Sequence, residues 1–148
     1  MTKQIFVNLP VADLERARSF YAAVGFTNEP NFTDDTAACM VWSDAIYVML
    51  LTHAKWAEFT TRPIPDSGSS EVMLALGFDS RDEVDRITDR AGASGGTADV
   101  NPKQDHGFMY GRDFLDPDGH IWEAFWMDPA AAAGGSAPQE TEAHERAS

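Results

Sequence analysis

One order of elements runs through the chain twice, and it constrains the fold more than any other feature. Ile5-Phe6-Val7-Asn8-Leu9 is a short apolar run that stops at Pro10 and reads as a strand. Asp13–Tyr21 follows with Leu14, Ala17 and Phe20 on one helical face, an acidic N-cap candidate, and Gly25 placed to end the helix. Three strand-like runs come next, Phe26–Phe32, Thr36–Trp42 and Ala45–Leu51, the last two joined by a Ser43-Asp44 turn. A helical piece at Ala54–Phe59 and a Pro/Ser/Gly-rich linker over 61–70 interrupt the pattern, which then returns. Glu71–Phe78 reads as a strand, and Arg81–Ala91 as a helix ended by Gly92. Ala98–Lys103, Phe108–Leu115 and His120–Met127 read as strands. Asp116-Pro117-Asp118-Gly119 supplies the last turn, with Pro fixing φ and Gly tolerating φ > 0. The chain is therefore expected to be α+β, with two βαβββ modules at about 4–52 and 71–127 inside one domain, 1–128.

Residues 129–148 lie apart. From Pro129 the sequence holds no Leu, Ile, Val, Met or aromatic residue, so disorder is expected there. The whole chain carries 11 Lys+Arg against 24 Asp+Glu, a net charge of −13. The tail's three Glu and one Arg account for −2 of it, so −11 belongs to the domain. Such acidity repels phosphate backbones and anionic lipid, so neither nucleic acid nor a membrane is an expected partner. No signal peptide and no apolar run of membrane-spanning length is visible, and the expected location is the cytoplasm. The single cysteine, Cys39, allows no intramolecular disulfide and reads as an inert thiol turned toward the helices.

The opening segment Phe6–Tyr21 with Gly25-Phe26, and the closing hairpin Phe114–Glu123, resemble the vicinal oxygen chelate superfamily. That superfamily includes glyoxalase I, bleomycin-resistance proteins and extradiol dioxygenases, and the similarity is greatest to its glyoxalase-like branch. The resemblance implies that each module curls into a half-barrel, the pair forming a cup with helices outside. It also implies four metal-ligand positions, which here are Asn8, Met49, Ala75 and Glu123. Only Glu123 offers the anionic oxygen that a hard divalent ion prefers, so no cofactor is expected beyond a weakly held divalent metal. The four histidines, His53, His106, His120 and His144, fall at strand ends, at a turn and in the tail, away from those positions.

Strand periodicity then gives an expected lining. If the 116–119 turn is tight, Arg112 faces Glu123 as an ion pair and Tyr110 faces Phe125. If the Ser43-Asp44 turn is tight, Met40 faces Tyr47 and Ala38 faces Met49, with Trp42 near the mouth. Phe6, Asn8, Met73 and Ala75 come from the first strands. This surface, apolar and aromatic with a few polar groups, suits a small-molecule pocket. Trp56, Trp122 and Trp126 read as packing residues, the last two on the helix side with His120.

Three functions are expected to compete. The first is a metal-independent protein that binds a small apolar or aromatic molecule. The second is a glyoxalase-type lyase or isomerase, with Glu123 as base or metal ligand and Arg112 steadying an enolate. A carboxylate paired with Arg is a weak base, which counts against the second. The third, a dioxygenase, needs a His/His/Glu iron site that the sequence does not display. A homodimer is expected.

Overall fold

A computed structural model describes residues 3–133. The element order is β1 (Ile5–Val11), α1 (Leu14–Ala23), β2 (Thr27–Glu29), β3 (Ala37–Val41), β4 (Ile46–Thr52) and α2 (His53–Phe59), followed by β5 (Leu74–Phe78), α3 (Arg81–Ala93), β6 (Thr97–Ala98), β7 (Gln104–Asp105), β8 (Met109–Leu115), β9 (Ile121–Met127) and α4 (Pro129–Ala133). The first module forms a four-stranded sheet ordered β1-β4-β3-β2, and the second a five-stranded sheet ordered β5-β9-β8-β6 with β7 also on β8. In both sheets the first strand pairs parallel with the last, and the remaining ladders are antiparallel. The fold is thus α+β with two mixed sheets, as the repeat predicts.

Local chemistry explains where elements start and stop. The Asp13 side chain accepts from Arg16 N, Ser80 from Glu83 N, and Thr52 from Lys55 N, capping α1, α3 and α2. The strand expected over 26–32 ends at Glu29, because Pro30 begins a short 3₁₀ turn and brings no N–H for a ladder. The strand expected over 98–103 is reduced to Thr97–Ala98, with a second short piece at Gln104–Asp105. Residues 129–133, expected to be disordered, form one alanine-rich turn whose Ala130 N is held by Asp128 Oδ1 at 2.9 Å. Residues 134–148 of that tail lie outside the described part.

A single apolar core joins the modules. It takes Leu9, Val11, Met40, Val48 and Leu50 from the first sheet, Leu76, Phe114, Trp122 and Ala124 from the second, and Phe20, Tyr21, Val84 and Ile87 from α1 and α3. Each sheet therefore turns one face to α1 and α3, while its opposite, more open face is exposed at Phe6 and Ala75 and buried at Cys39, Leu51 and Asp113. The centre of the core is polar and satisfied. Trp122 Nε1 donates to Tyr21 Oη at 3.0 Å, and Tyr21 Oη donates to Asp116 Oδ2 at 2.6 Å. The other Asp116 oxygen accepts from Asp118 N and His120 N. Burial raises the pKa of the Asp116 carboxyl.

The β3–β4 and β8–β9 hairpins each carry one residue more than a tight turn needs. In β8–β9 the Asp116 N–H reaches His120 O, and Gly119 sits at φ +90° as a one-residue bulge. In β3–β4 the N–H groups of both Trp42 and Ser43 reach Ile46 O, so two residues oppose one. A Cβ on Gly119 would stand 2.5 Å from Ser67 O in the linker. Gly119→Ala is therefore expected to lower stability by about 1–2 kcal/mol through the left-handed φ and this contact. Urea unfolding measures it, and a neutral result would show that the linker moves freely.

Candidate functional site on the open sheet faces

The two bulges decide which side chains reach the open faces. Each shifts its hairpin by one residue, and a one-residue slip exchanges the faces of a strand. In the first sheet Asn8 pairs with Met49, and Met49 with Cys39, which in turn pairs with Glu29. Phe6, Tyr47 and Val41 make the next row. The Phe6 and Tyr47 rings stack at 4.3 Å with 7° between planes, and Phe6 is 49% exposed. Tyr47 Oη donates to Asp44 O and accepts from Gln4 Nε2, which holds the ring in place.

In the second sheet Ala75 pairs with Glu123, and Glu123 with Asp113. Gly77, Phe125 and Gly111 form the adjacent row, where the Phe125 ring lies over Gly77, 3.1 Å from where a Cβ would stand. Asp113 is buried and bound through both oxygens, by Asn101 N at 3.1 Å and Asn101 Nδ2 at 2.7 Å. Glu123 is half-buried, and burial together with the neighbouring Asp113 raises its pKa above the ordinary glutamate range.

Several expected lining residues lie elsewhere. The Arg112–Glu123 ion pair does not form, because Arg112 stands opposite Ala124 and points at the helix side. There it binds Asp99 through Nε and Nη2 at 3.0 and 2.7 Å, Asp85 through Nη1 at 2.9 Å, and Asp89 through Nη2 at 3.0 Å. Tyr110 stands opposite Trp126 and not Phe125, and donates to Asp85 Oδ1 at 2.6 Å. Burial and that carboxylate push its hydroxyl up to about 12. Met40 opposes Val48 and is fully buried in the core, not set against Tyr47. Trp42 packs on Phe26 and Phe78 between the modules. Cys39 is on the open-face parity, beside Met49, and not on the helix side. It is 1% exposed, and burial with Glu29 nearby raises its pKa, so the thiol is not activated.

Asn8, Tyr47, Met49, Phe125 and Glu123 keep their open-face places. Asp113, Gly77 and Gly111 join them, and sequence reasoning missed all three. Gly77 could have been found by alternation from Ala75 along β5, whereas the Gly111/Asp113 alternation along β8 could be read only with the bulge already known.

The four positions that would hold a divalent metal do not fit one. Ala75 has no donor atom, Met49 offers a soft thioether and Asn8 a neutral amide, which leaves Glu123 alone. Among the described residues no group of three or more His, Cys, Asp or Glu side chains is placed to bind an ion.

The sequence profile of the Glyoxalase/Bleomycin resistance protein/Dioxygenase superfamily matches residues 3–124. The chain belongs to that superfamily. This superfamily member shares its fold with a hypothetical protein, SA1046, from S. aureus, at 26% identity and a TM-score of 0.71 over 85% of this chain and 95% of that one. A glyoxalase-related enzyme from Fulvimarina pelagi matches at 21% identity and a TM-score of 0.71, covering 85% and 88%. The fosfomycin resistance protein FosX from Mesorhizobium loti matches at 17% identity and a TM-score of 0.63, covering 90% and 98%. The last two likenesses speak for the fold alone. No curated protein matches this sequence. No helix among the described residues is long and apolar enough to cross a membrane.

Proposed function

We propose that this superfamily member is a cytoplasmic homodimer that binds a small apolar or aromatic molecule on its open sheet faces without a tightly held metal. The donor set carries this reading. Of the four superfamily ligand positions one is a carboxylate, and it pairs with an alanine. What surrounds it is a ligand-type surface, with Phe6 and Tyr47 stacked, Met49 adaptable and Phe125 flat over a glycine. The helix-covered faces of both sheets meet in one core, which leaves the open faces free to be closed by a second copy. Exposed Phe6 and Met73, at 49% and 51%, supply apolar area for that closure.

The test is metal analysis of the purified protein beside a thermal-shift screen with Ni, Zn, Mn and Fe(II) and with neutral aromatic compounds. The expected result is substoichiometric metal and stabilisation by an aromatic compound, lost in Phe125→Ala. Tight stoichiometric metal would overturn the proposal. Light scattering tests the dimer.

One observation favours a second reading, a glyoxalase-type lyase or isomerase. Glu123 is half-buried and faces Asp113 and not an arginine; burial first and that carboxylate second raise its pKa, which makes it a better base than a glutamate paired with an arginine. The sign of that shift gives a check. A carboxyl group whose pKa is raised by folding opposes folding once it ionises. The penalty is absent at pH 4 and develops as pH rises through the ordinary glutamate value and the folded value. Glu123→Gln is therefore expected to raise Tm at pH 8 and to leave it unchanged at pH 4. Equal Tm at both pH values would show that Glu123 is not perturbed.

A further inference from the structure

Under the linker lie two cavities of about 320 and 490 Å³ that share Pro10, Pro65, Ser69 and His120, the larger reaching the core residue Leu9. Among the described residues two buried side-chain polar atoms have no hydrogen-bond partner, Asp118 Oδ2 and Trp56 Nε1. Asp118 lines the smaller cavity and Trp56 the larger. Each atom thus sits, closed to water, in the wall of one of two cavities that share four residues, and a buried polar atom left alone calls for a partner that the chain itself does not supply.

The chemistry of the space is specific. The Asp118 side chain is 9% exposed, and its other oxygen, Oδ1, accepts from Ala12 N at 2.8 Å with Arg16 Nη2 at 3.7 Å. The carboxylate is thereby fixed, and Oδ2 remains to accept. His120 Nε2 lies 2.8 Å from Pro10 O, a carbonyl that can only accept, so that nitrogen carries its proton and is already used. Around Trp56 the walls are apolar, with Leu9, Pro63, Val72, Leu74 and Ile121. The two linings carry three carboxylates, Asp66, Glu71 and Asp118, against the two arginines Arg16 and Arg62, with His53 also on the smaller cavity, and the domain as a whole is at −11. The field therefore favours a cation over an anion.

We propose that the linked cavities under residues 61–72 bind a small organic cation, an ammonium or amidinium group on an apolar or aromatic body. The charged head donates to Asp118 Oδ2. The body lies along the proline and aliphatic wall, where an acceptor on it meets the Trp56 N–H. This place is separate from the Glu123 and Phe125 rows of the open face, and only Asn8 and Ile121 border both.

Calorimetric titration of the full-length protein with benzylamine, benzyl alcohol and benzoate tests the proposal, because the three share a body and differ in head charge. Benzylamine should bind at least tenfold tighter than benzoate, with the alcohol between. Asp118→Asn keeps an oxygen for Ala12 N and should weaken benzylamine at least tenfold. Asp82→Asn removes the same charge from the exposed first turn of α3 and should change nothing. Benzylamine lacks an acceptor for Trp56, so 4-methoxybenzylamine should gain over it in the parent protein and lose that gain in Trp56→Phe. No saturable binding of either amine, or equal affinity for amine and benzoate, overturns the proposal without recourse to any variant. Binding that survives Asp118→Asn but is lost in Glu123→Gln assigns the cation to the open face and overturns it as well. A crystal soaked in benzylamine that shows only water at Asp118 Oδ2 has the same force.

Discussion

Replacing Arg112 with alanine is expected to remove about 3–5 kcal/mol of stability, the range for stripping one partner from a buried ionic network. The guanidinium is 6% exposed and, among the described residues, is the one cation in ion-pair contact with Asp85, Asp89 and Asp99. These aspartates come from α3 and from the loop after β6, so Arg112 ties helix, loop and strand together. Asp99 is held at φ 55°, in the left-handed region, and its bidentate contact with Arg112 offsets that strain. The three carboxylates are 43%, 69% and 32% exposed, so water relieves part of their repulsion, and the loss should fall toward the lower end of the range. Arg112→Met, which keeps the buried stem and removes the charge, should lose less. Urea unfolding measures both, and a loss below about 1 kcal/mol for Arg112→Ala would show that the network contributes nothing. The pH dependence has a definite sign. Burial opposes ionisation of Asp85, yet its bonds from Tyr110 and Arg112 outweigh that and lower its pKa; bonding to Arg112 lowers that of Asp99. A carboxyl whose pKa is lowered by folding stabilises the fold above the ordinary aspartate value, and the gain is lost as pH falls through the folded value. The parent protein should therefore lose this contribution below about pH 4, and Arg112→Ala should show a flatter acid limb. Since Arg112 points away from the open face, its removal should affect anionic and neutral ligands there equally.

Tyr21→Phe is expected to cost about 2–4 kcal/mol, since one hydroxyl serves two buried partners. It accepts from Trp122 Nε1 and donates to Asp116 Oδ2. Without it the indole N–H is orphaned and the carboxyl of Asp116, already raised by burial, loses its donor. Tyr21 belongs to α1, while Asp116 and Trp122 belong to the closing hairpin, so the variant should loosen one module from the other. Hydrogen exchange should report faster opening of α1 and β9 together. A loss under 1 kcal/mol, or exchange confined to α1, would mean that apolar packing alone joins the modules.

How far the candidate site could be read in advance depended on single residues. Asn8, Met49 and Glu123 could be placed because the superfamily resemblance set their positions on β1, β4 and β9 without reference to hairpin register. Arg112, Tyr110, Met40 and Trp42 could not, because their facing depends on hairpin register. Gly119 is as compatible with a two-residue turn as with the three-residue loop and bulge it adopts, and nothing around Ser43 marks the bulge with Trp42. The bulge at Gly119 therefore moved an arginine from the open face to a cage of aspartates, and the bulge at Ser43 moved Met40 into the core.

The amino-acid order by itself determined the repeat, the helices and most strands, because period and capping are local properties of adjacent residues. It also determined that only one of the superfamily's four metal positions carries an anionic donor, since the residues at four places settle that. The tertiary structure alone decided which carboxylate sits beside Glu123, what Arg112 holds, and that Asp118 and Trp56, far apart in the chain, each end with an unpartnered atom in the walls of two adjoining cavities. Those outcomes depend on how strands register and how a linker lies over them, and such long-range distances are set only when the whole core closes.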